Sequence, residues 1–189
     1  MKYYIISGEA SGDLHASNLI RYLNQHDEEM DVRAFGGDLM KAQGVHIVKH
    51  YKELSFMGFW EVFKNLKTIL RNLNFCKQDI LNFHPDALIL IDYPGFNMRI
   101  AKFAKSHQIP VYYYISPQVW AWKKNRVYDI KKYVRELYTI LPFEKNFYTK
   151  YNCDVTYLGH PLLDAISTWK KEQESDHLVW KKSGRPLVA

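Results

Sequence analysis

Residues 87–97 read Ala-Leu-Ile-Leu-Ile-Asp-Tyr-Pro-Gly-Phe-Asn. Five apolar residues stand together with no polar alternation, the mark of a strand buried on both faces. Such a strand has helices above and below it, so the run points to a parallel sheet. It ends in a carboxylate, Asp92, with Pro94 and Gly95 close behind. In open α/β sheets ligands gather beyond the carboxyl ends of the strands, which is where Asp92 stands. A carboxylate there serves as a general base if it reaches a substrate hydroxyl. The plainer role competes with that one: Asp92 only hydrogen-bonds a Pro-Gly turn.

Outward from this run the same alternation of short apolar segments and longer amphipathic ones repeats. Tyr3–Ser7 reads as a buried strand, and Leu14–Asn24 as a helix with Ser11 or Asp13 as its cap. Val32–Phe35 and His46–Val48 read as strands around a short helix, Asp38–Gln43, stopped by Gly44. The longest helix is expected from Phe59 to about Asn82, and a further one over Met98–Lys105. Val111–Ile115, Leu137–Leu141 and Val155–Leu158 are later strands, with helices near Arg126–Lys132 and Phe143–Tyr151. This order predicts an α/β fold: a doubly wound, mostly parallel sheet with right-handed crossovers. The polar stretch Thr168–Lys182 reads as a linker or a solvated helix. Pro186-Leu187-Val188-Ala189 then looks like the opening of another buried strand. The expected division is a domain over 1–167, then over 168–189 a linker and the start of a second, truncated domain.

Length and composition bound the function. A chain of 189 residues is long enough for one domain with a sizeable core. With 47% hydrophobic and 24% charged residues it is no disordered chain. No apolar run approaches the roughly 20 residues needed to cross a bilayer. The start, Met1–Glu9, is a poor signal peptide, so the expected location is the cytoplasm. Cys76 and Cys153 cannot build a disulfide framework or a four-cysteine zinc site, neither lies in a Cys-x-x-Cys pair, and no His-Glu-x-x-His motif is present; no metal or cofactor is expected. The net charge of +6 admits an anionic partner, whether nucleic acid, phosphorylated metabolite or acidic membrane, or simply aids solubility.

Four segments carry candidate chemistry. Gly8-Glu9-Ala10-Ser11-Gly12-Asp13 links the first strand to the first helix. It has neither the P-loop nor the dinucleotide glycine spacing, and its acids argue against a pyrophosphate. Glu9, Ser11 and Asp13 suit sugar hydroxyls, against the reading of a tight turn with a cap. Tyr112–Arg126 sets Trp120 and Trp122 beside Lys123, Lys124 and Arg126. Rings and cations so interleaved fit a sugar phosphate or single-stranded nucleic acid, or else a core strand and a solvated turn. Leu54–Trp60, with Phe56, Met57, Phe59 and Trp60, is unusually apolar for a connection, and Lys64, Lys67 and Arg71 follow. That pattern reads as a core-facing helix with a wet face or as a surface that meets lipid. His160, at the end of the last strand, is left between a site and a turn role.

Taken together these motifs resemble the lipid-A-disaccharide synthase family over its amino-terminal half. The resemblance rests on Ser7–Asp13, Gly36-Gly37 with Met40 and Gly44, and Met57-Gly58 with Glu61-Val62. It continues through Ile91-Asp92 with Pro94, Phe96 and Asn97, Ser116–Trp122, Leu141–Glu144 with Phe147-Tyr148, and Gly159–Pro161 with Asp164. The pieces keep family order over about residues 3–166. The resemblance implies the amino-terminal Rossmann-like domain of a two-domain, GT-B type inverting glycosyltransferase. By that likeness the reaction joins UDP-2,3-diacylglucosamine to 2,3-diacylglucosamine 1-phosphate and releases UDP. It also implies Asp92 as base; Glu9, Ser11 and Asp13, with Trp120, Trp122, Lys123 and Arg126, on the acceptor side; and Phe56, Met57, Phe59 and Trp60 at acyl chains or membrane. Expected with it are a peripheral place on the inner membrane, no nucleic-acid partner, a homodimer of the longer form, and a donor loop that would follow Ala189. Gly95 stands where family members often carry a second acid. The rivals are a non-catalytic membrane-surface domain and a single-strand nucleic-acid module.

Overall fold

Seven strands, all parallel, make one sheet in the computed structural model, which describes residues 1–54, 66–121 and 123–175. In chain order the strands are β1 (Lys2–Ser7), β2 (Asp31–Gly36), β3 (His46–His50), β4 (Ala87–Ile91), β5 (Val111–Tyr114), β6 (Glu136–Thr139) and β7 (Thr156–Tyr157). The helices between them are α1 (Ala10–Asn24), α2 (Asp38–Ala42), α3 (Leu66–Phe83), α4 (Pro94–Ser106), α5 (Arg126–Tyr133) and α6 (Pro142–Thr149). The spatial order is β3-β2-β1-β4-β5-β6-β7, so the direction of winding reverses between β1 and β4. Ile5 is opposite Ala34 on one side and Ile89 on the other. All five residues of β4 are buried, as an unbroken apolar run at the centre of a sheet requires.

The sheet divides the core in two. On one face Tyr4, Ile6, Phe35, Leu88, Leu90 and Tyr113 pack with side chains from α3, α4, α5 and α6. On the other, Ile5, Ala34, Ile89 and Ile91 pack with Ala16 and Ile20 of α1 and Met40 of α2. Beside α1 an apolar cleft lies open, lined by Tyr3, Leu19, Ile89, Tyr112, Tyr114 and Tyr138 among others. A buried polar contact ties α3 to the sheet: Asp79 accepts two bonds from Arg33, at 2.6 and 2.9 Å, and one from the Tyr4 hydroxyl at 2.7 Å.

Two helices begin earlier than the sequence suggested. α1 starts at Ala10 with Glu9, in extended conformation, as the residue before it; Ser11 and Asp13 lie inside the helix and cap nothing there. Glycines allow this early start. A Cβ on Gly12 would stand 2.4 Å from the Ser7 hydroxyl, and one on Gly8 the same distance from the Tyr93 ring. α4 starts at Pro94 rather than near Met98, with proline in the first turn, where its missing N–H costs nothing. The turn is therefore made by Asp92 and Tyr93 and not by Pro94-Gly95.

The chain forms two units, Met1–Gly159 and His160–Ala189. In the second, helix α7 runs from Leu162 to Ser175, across the 167/168 boundary expected from sequence and into the stretch read as a linker or a solvated helix. Leu162, Leu163, Ile166 and Trp169 are exposed on it. The expected lipid-contact residues Phe56, Met57, Phe59 and Trp60, the start of the longest helix at Phe59, Trp122, and the expected strand at Pro186–Ala189 lie outside the described residues.

Candidate active site at the strand switch point

The two corners at the reversal of the sheet are the β1–α1 and β4–α4 connections, adjacent because Ser7 is opposite Ile91. The first carries Glu9 and Ser11, both exposed. The second carries Asp92, half-buried, with its own N–H donating to the Tyr114 carbonyl at 3.3 Å. Burial pushes the Asp92 carboxyl up, the Glu9 charge pushes it further, and the Tyr93 N–H pulls it partly back. Tyr93 is raised by the same two causes, burial and Glu9. Glu9, Asp92 and Tyr93 thus share one neighbourhood. Two acids close enough to repel make one of them a better proton acceptor.

Asp13 is used differently. It is buried, and its carboxylate accepts the N–H groups of Gly37, Leu39 and Met40 at 2.8, 3.0 and 3.2 Å. These are free amides at the start of α2, and a carboxylate satisfies them well. Its oxygens bind the next corner rather than facing outward.

The connection from β5 to α5 opens at the same edge. Trp120 is half-buried, with its ring edge-on to Phe143 at 4.9 Å between centroids. Beneath it sits Glu144, almost wholly buried, accepting the N–H groups of Ile140 and Leu141 at 3.1 and 2.9 Å. Burial raises the Glu144 carboxyl, against those amides and the Trp120 and Ser116 side chains, which lower it. Ser116 and Tyr148 share a bond of 2.6 Å between hydroxyls. Lys123 is exposed, with φ of 63°, and Arg126 opens α5 half-buried. Among the described residues of this stretch, Tyr113 and Val119 are buried and Trp120 is tucked against a helix, while Tyr112 and Tyr114 are half-buried along the open cleft beside α1. His160 takes the turn role within its own unit, accepting the Leu162 N–H on Nδ1 at 3.3 Å.

Sequence reading gives no role to three residues at the Asp92 corner. Tyr93 covers Gly8 and donates to the Leu54 carbonyl at 3.3 Å. Asn97 and Tyr113 both donate to the Asp92 carbonyl. The only available signal was an asparagine in the first turn after an Asp-x-Pro step, where its amide can turn back to the preceding corner. Among the described residues no three His, Cys, Asp or Glu side chains gather to hold a metal, and no helix is long and apolar enough to cross a membrane.

The profile of the family described as lipid-A-disaccharide synthetase matches residues 3–186. The lipid-A-disaccharide synthase of Geobacter metallireducens is 42% identical over 171 residues, covering 90% of this chain and 44% of its own. That of Syntrophus aciditrophicus is 39% identical over 171 residues, covering 90% and 45%. The chain therefore spans about half the length of the curated relatives it matches. Among solved structures, a UDP-GlcNAc 2-epimerase from Neisseria meningitidis superposes with a TM-score of 0.68 at 13% identity, over 93% of this chain and 51% of that one. MurG of Acinetobacter baumannii gives 0.52 at 12% identity, over 85% and 45%. At such identities the likeness is one of fold.

Proposed function

The chain belongs to the lipid-A-disaccharide synthetase family, and from that premise we propose that it carries the acceptor side of an inverting hexosyl transfer. The donor is UDP-2,3-diacylglucosamine and the acceptor 2,3-diacylglucosamine 1-phosphate. An acceptor hydroxyl attacks the anomeric carbon in line. The new C–O bond forms as the bond to the diphosphate breaks, and UDP leaves with the electron pair. Asp92 takes the hydroxyl proton, while Glu9 and Ser11 at the facing corner, with Trp120, Lys123 and Arg126 at the neighbouring one, bind the acceptor sugar and its phosphate. Residues 1–167 are the acceptor-side domain, and a second half supplies most contacts to UDP. Because both substrates are acylated, the protein works at a membrane surface, reached through Phe56, Met57, Phe59 and Trp60.

The observation that carries this reading is the place and state of Asp92. It sits at the carboxyl end of the central strand, beside the reversal of the sheet, with its proton affinity raised by burial and by Glu9. The test is Asp92→Asn in a protein joining this domain to a donor half that supports transfer. Turnover falls about 10²-fold or more with acceptor affinity largely kept. Near-normal turnover rejects Asp92 as the base.

A further inference from the structure

β4 is followed by two consecutive residues in the left-handed region, Asp92 at φ 43° and Tyr93 at φ 48°. Side chains with a Cβ adopt that region at a cost, and a pair persists only where its surroundings hold it. The holding is visible. The Asp92 main-chain carbonyl accepts the Asn97 side-chain N–H at 2.8 Å and the Tyr113 hydroxyl at 2.5 Å. The same Asn97 nitrogen reaches the Ile91 carbonyl at 3.2 Å. Asn97 and Tyr113 are both fully buried, one in the first turn of α4 and the other on β5, so they act from beneath the surface on which a substrate would lie. Asn97 Oδ1 is buried with no hydrogen-bond partner. An apolar side chain of that size would fill the space without leaving an oxygen unsatisfied. The two bonds made by the amide nitrogen are what the residue adds beyond packing.

We propose that Asn97 and Tyr113 are positioning residues for Asp92: they clamp its carbonyl, fix the left-handed Asp92–Tyr93 step, and so set the direction of its carboxylate. The proposal deepens, and rests on, the reading of Asp92 as the base. The clamp holds the carboxyl in the setting that raises its proton affinity, burial first and then Glu9 from the β1 corner, against the Tyr93 N–H, which lowers it. Tyr113, behind it, is itself raised well above the usual tyrosine range, first by burial and then by the Asp92 charge, so its hydroxyl keeps its proton and remains a donor. Arg126 is the cation near enough to Tyr113 to act the other way.

Tyr113→Phe removes one hydroxyl and nothing else; Asn97→Ala removes the other donor. In the 189-residue chain, the Asp92 carboxyl is titrated by carbon NMR. Each folded variant brings its midpoint down toward the ordinary carboxylate value while the other carboxyl groups stay in place. In the transfer-competent protein, kcat falls about 10- to 100-fold with KM little changed, as a misaimed base requires. If Asn97→Ala does not fold, Tyr113→Phe alone decides. A folded Tyr113→Phe with wild-type titration and kcat overturns the clamp, even where Asp92→Asn abolishes turnover. If Asp92→Asn instead leaves turnover intact, the base reading fails, while a shifted midpoint still establishes the clamp.

Discussion

The two corners that meet at the sheet reversal solve the same problem by opposite means. At β1–α1 the chain passes from strand to helix with small residues: Gly8 lies under the Tyr93 ring and Gly12 against Ser7 and Ile91. The backbone at Glu9 is ordinary extended chain. The acid in this corner's helix, Asp13, is turned inward and bonds three amides of α2. At β4–α4 there is no such economy. Two bulky residues take left-handed angles, a proline fixes the helix start, and two buried donors hold the carbonyl. The acid there, Asp92, has raised proton affinity and is not used to join elements. One corner uses its carboxylate for stability; the other stabilises a conformation that keeps its carboxylate available. The second arrangement carries the conformational cost of two left-handed residues, which supports the proposed role of Asp92.

Breaking the first corner at its acid has the largest expected effect on stability. Asp13→Ala strands three amides at the start of α2, two of them buried, and lowers unfolding free energy by about 3 kcal/mol in a urea titration. A loss under about 1 kcal/mol would show that water replaces the carboxylate. Gly8→Ala comes next. Its methyl group would sit 2.4 Å from the Tyr93 ring, so the ring must move, at a cost of about 1–3 kcal/mol. That move also disturbs the second corner, so in a protein joining this domain to a donor half that supports transfer, turnover falls with stability.

Gly95 sharpens the contrast from the other side. Nothing lies within 4 Å of the place its Cβ would occupy, and it sits inside α4. Gly95→Ala raises stability by about 0.4–1 kcal/mol, measured by the denaturant midpoint. The smallest effect is the most diagnostic. Because Asp92 is raised in the fold, the folded state holds that proton more tightly than the unfolded chain does. Stability is therefore lost as pH rises from the ordinary value of 3.8 through the folded midpoint. Asp92→Asn removes it, so the variant melts slightly higher than wild type at neutral pH and the gain disappears below about pH 3. A variant that melts markedly lower at neutral pH would put Asp92 in the same class as Asp13.

How much of this was legible in the sequence follows from the range of each interaction. The apolar run Ala87–Ile91 could be read because burial on two faces imprints itself on neighbouring residues, and from it came the parallel sheet and the place of Asp92. The cap of α1 was misread because Ser11 and Asp13 look like local caps, whereas the partner of Asp13 is Gly37, 24 positions away. The start of α4 was misread for a related reason. Pro94-Gly95 reads as a turn by local preference, and only Asn97 and Tyr113 reaching back to Asp92 let the turn be made two residues earlier. Trp120 reads from sequence as a ring beside cations, but Phe143 and Glu144, which seat it, lie in helix α6, more than twenty residues on.

The position of β1 at the reversal also sets the order in which the sheet can be made. β1 leaves the ribosome before β2 and finds that partner within about thirty residues, Ile5 opposite Ala34. Its other neighbour arrives much later: Ile5 waits for Ile89, 84 residues on. At typical translation speeds that interval is about 4–17 s, during which one edge of the strand is unpaired. Closing so long a loop is an entropic cost paid before the pairing returns anything. The β1–α1 and β4–α4 corners therefore come together only at that late step, and agents that protect open strand edges act on this chain chiefly before β4 is made.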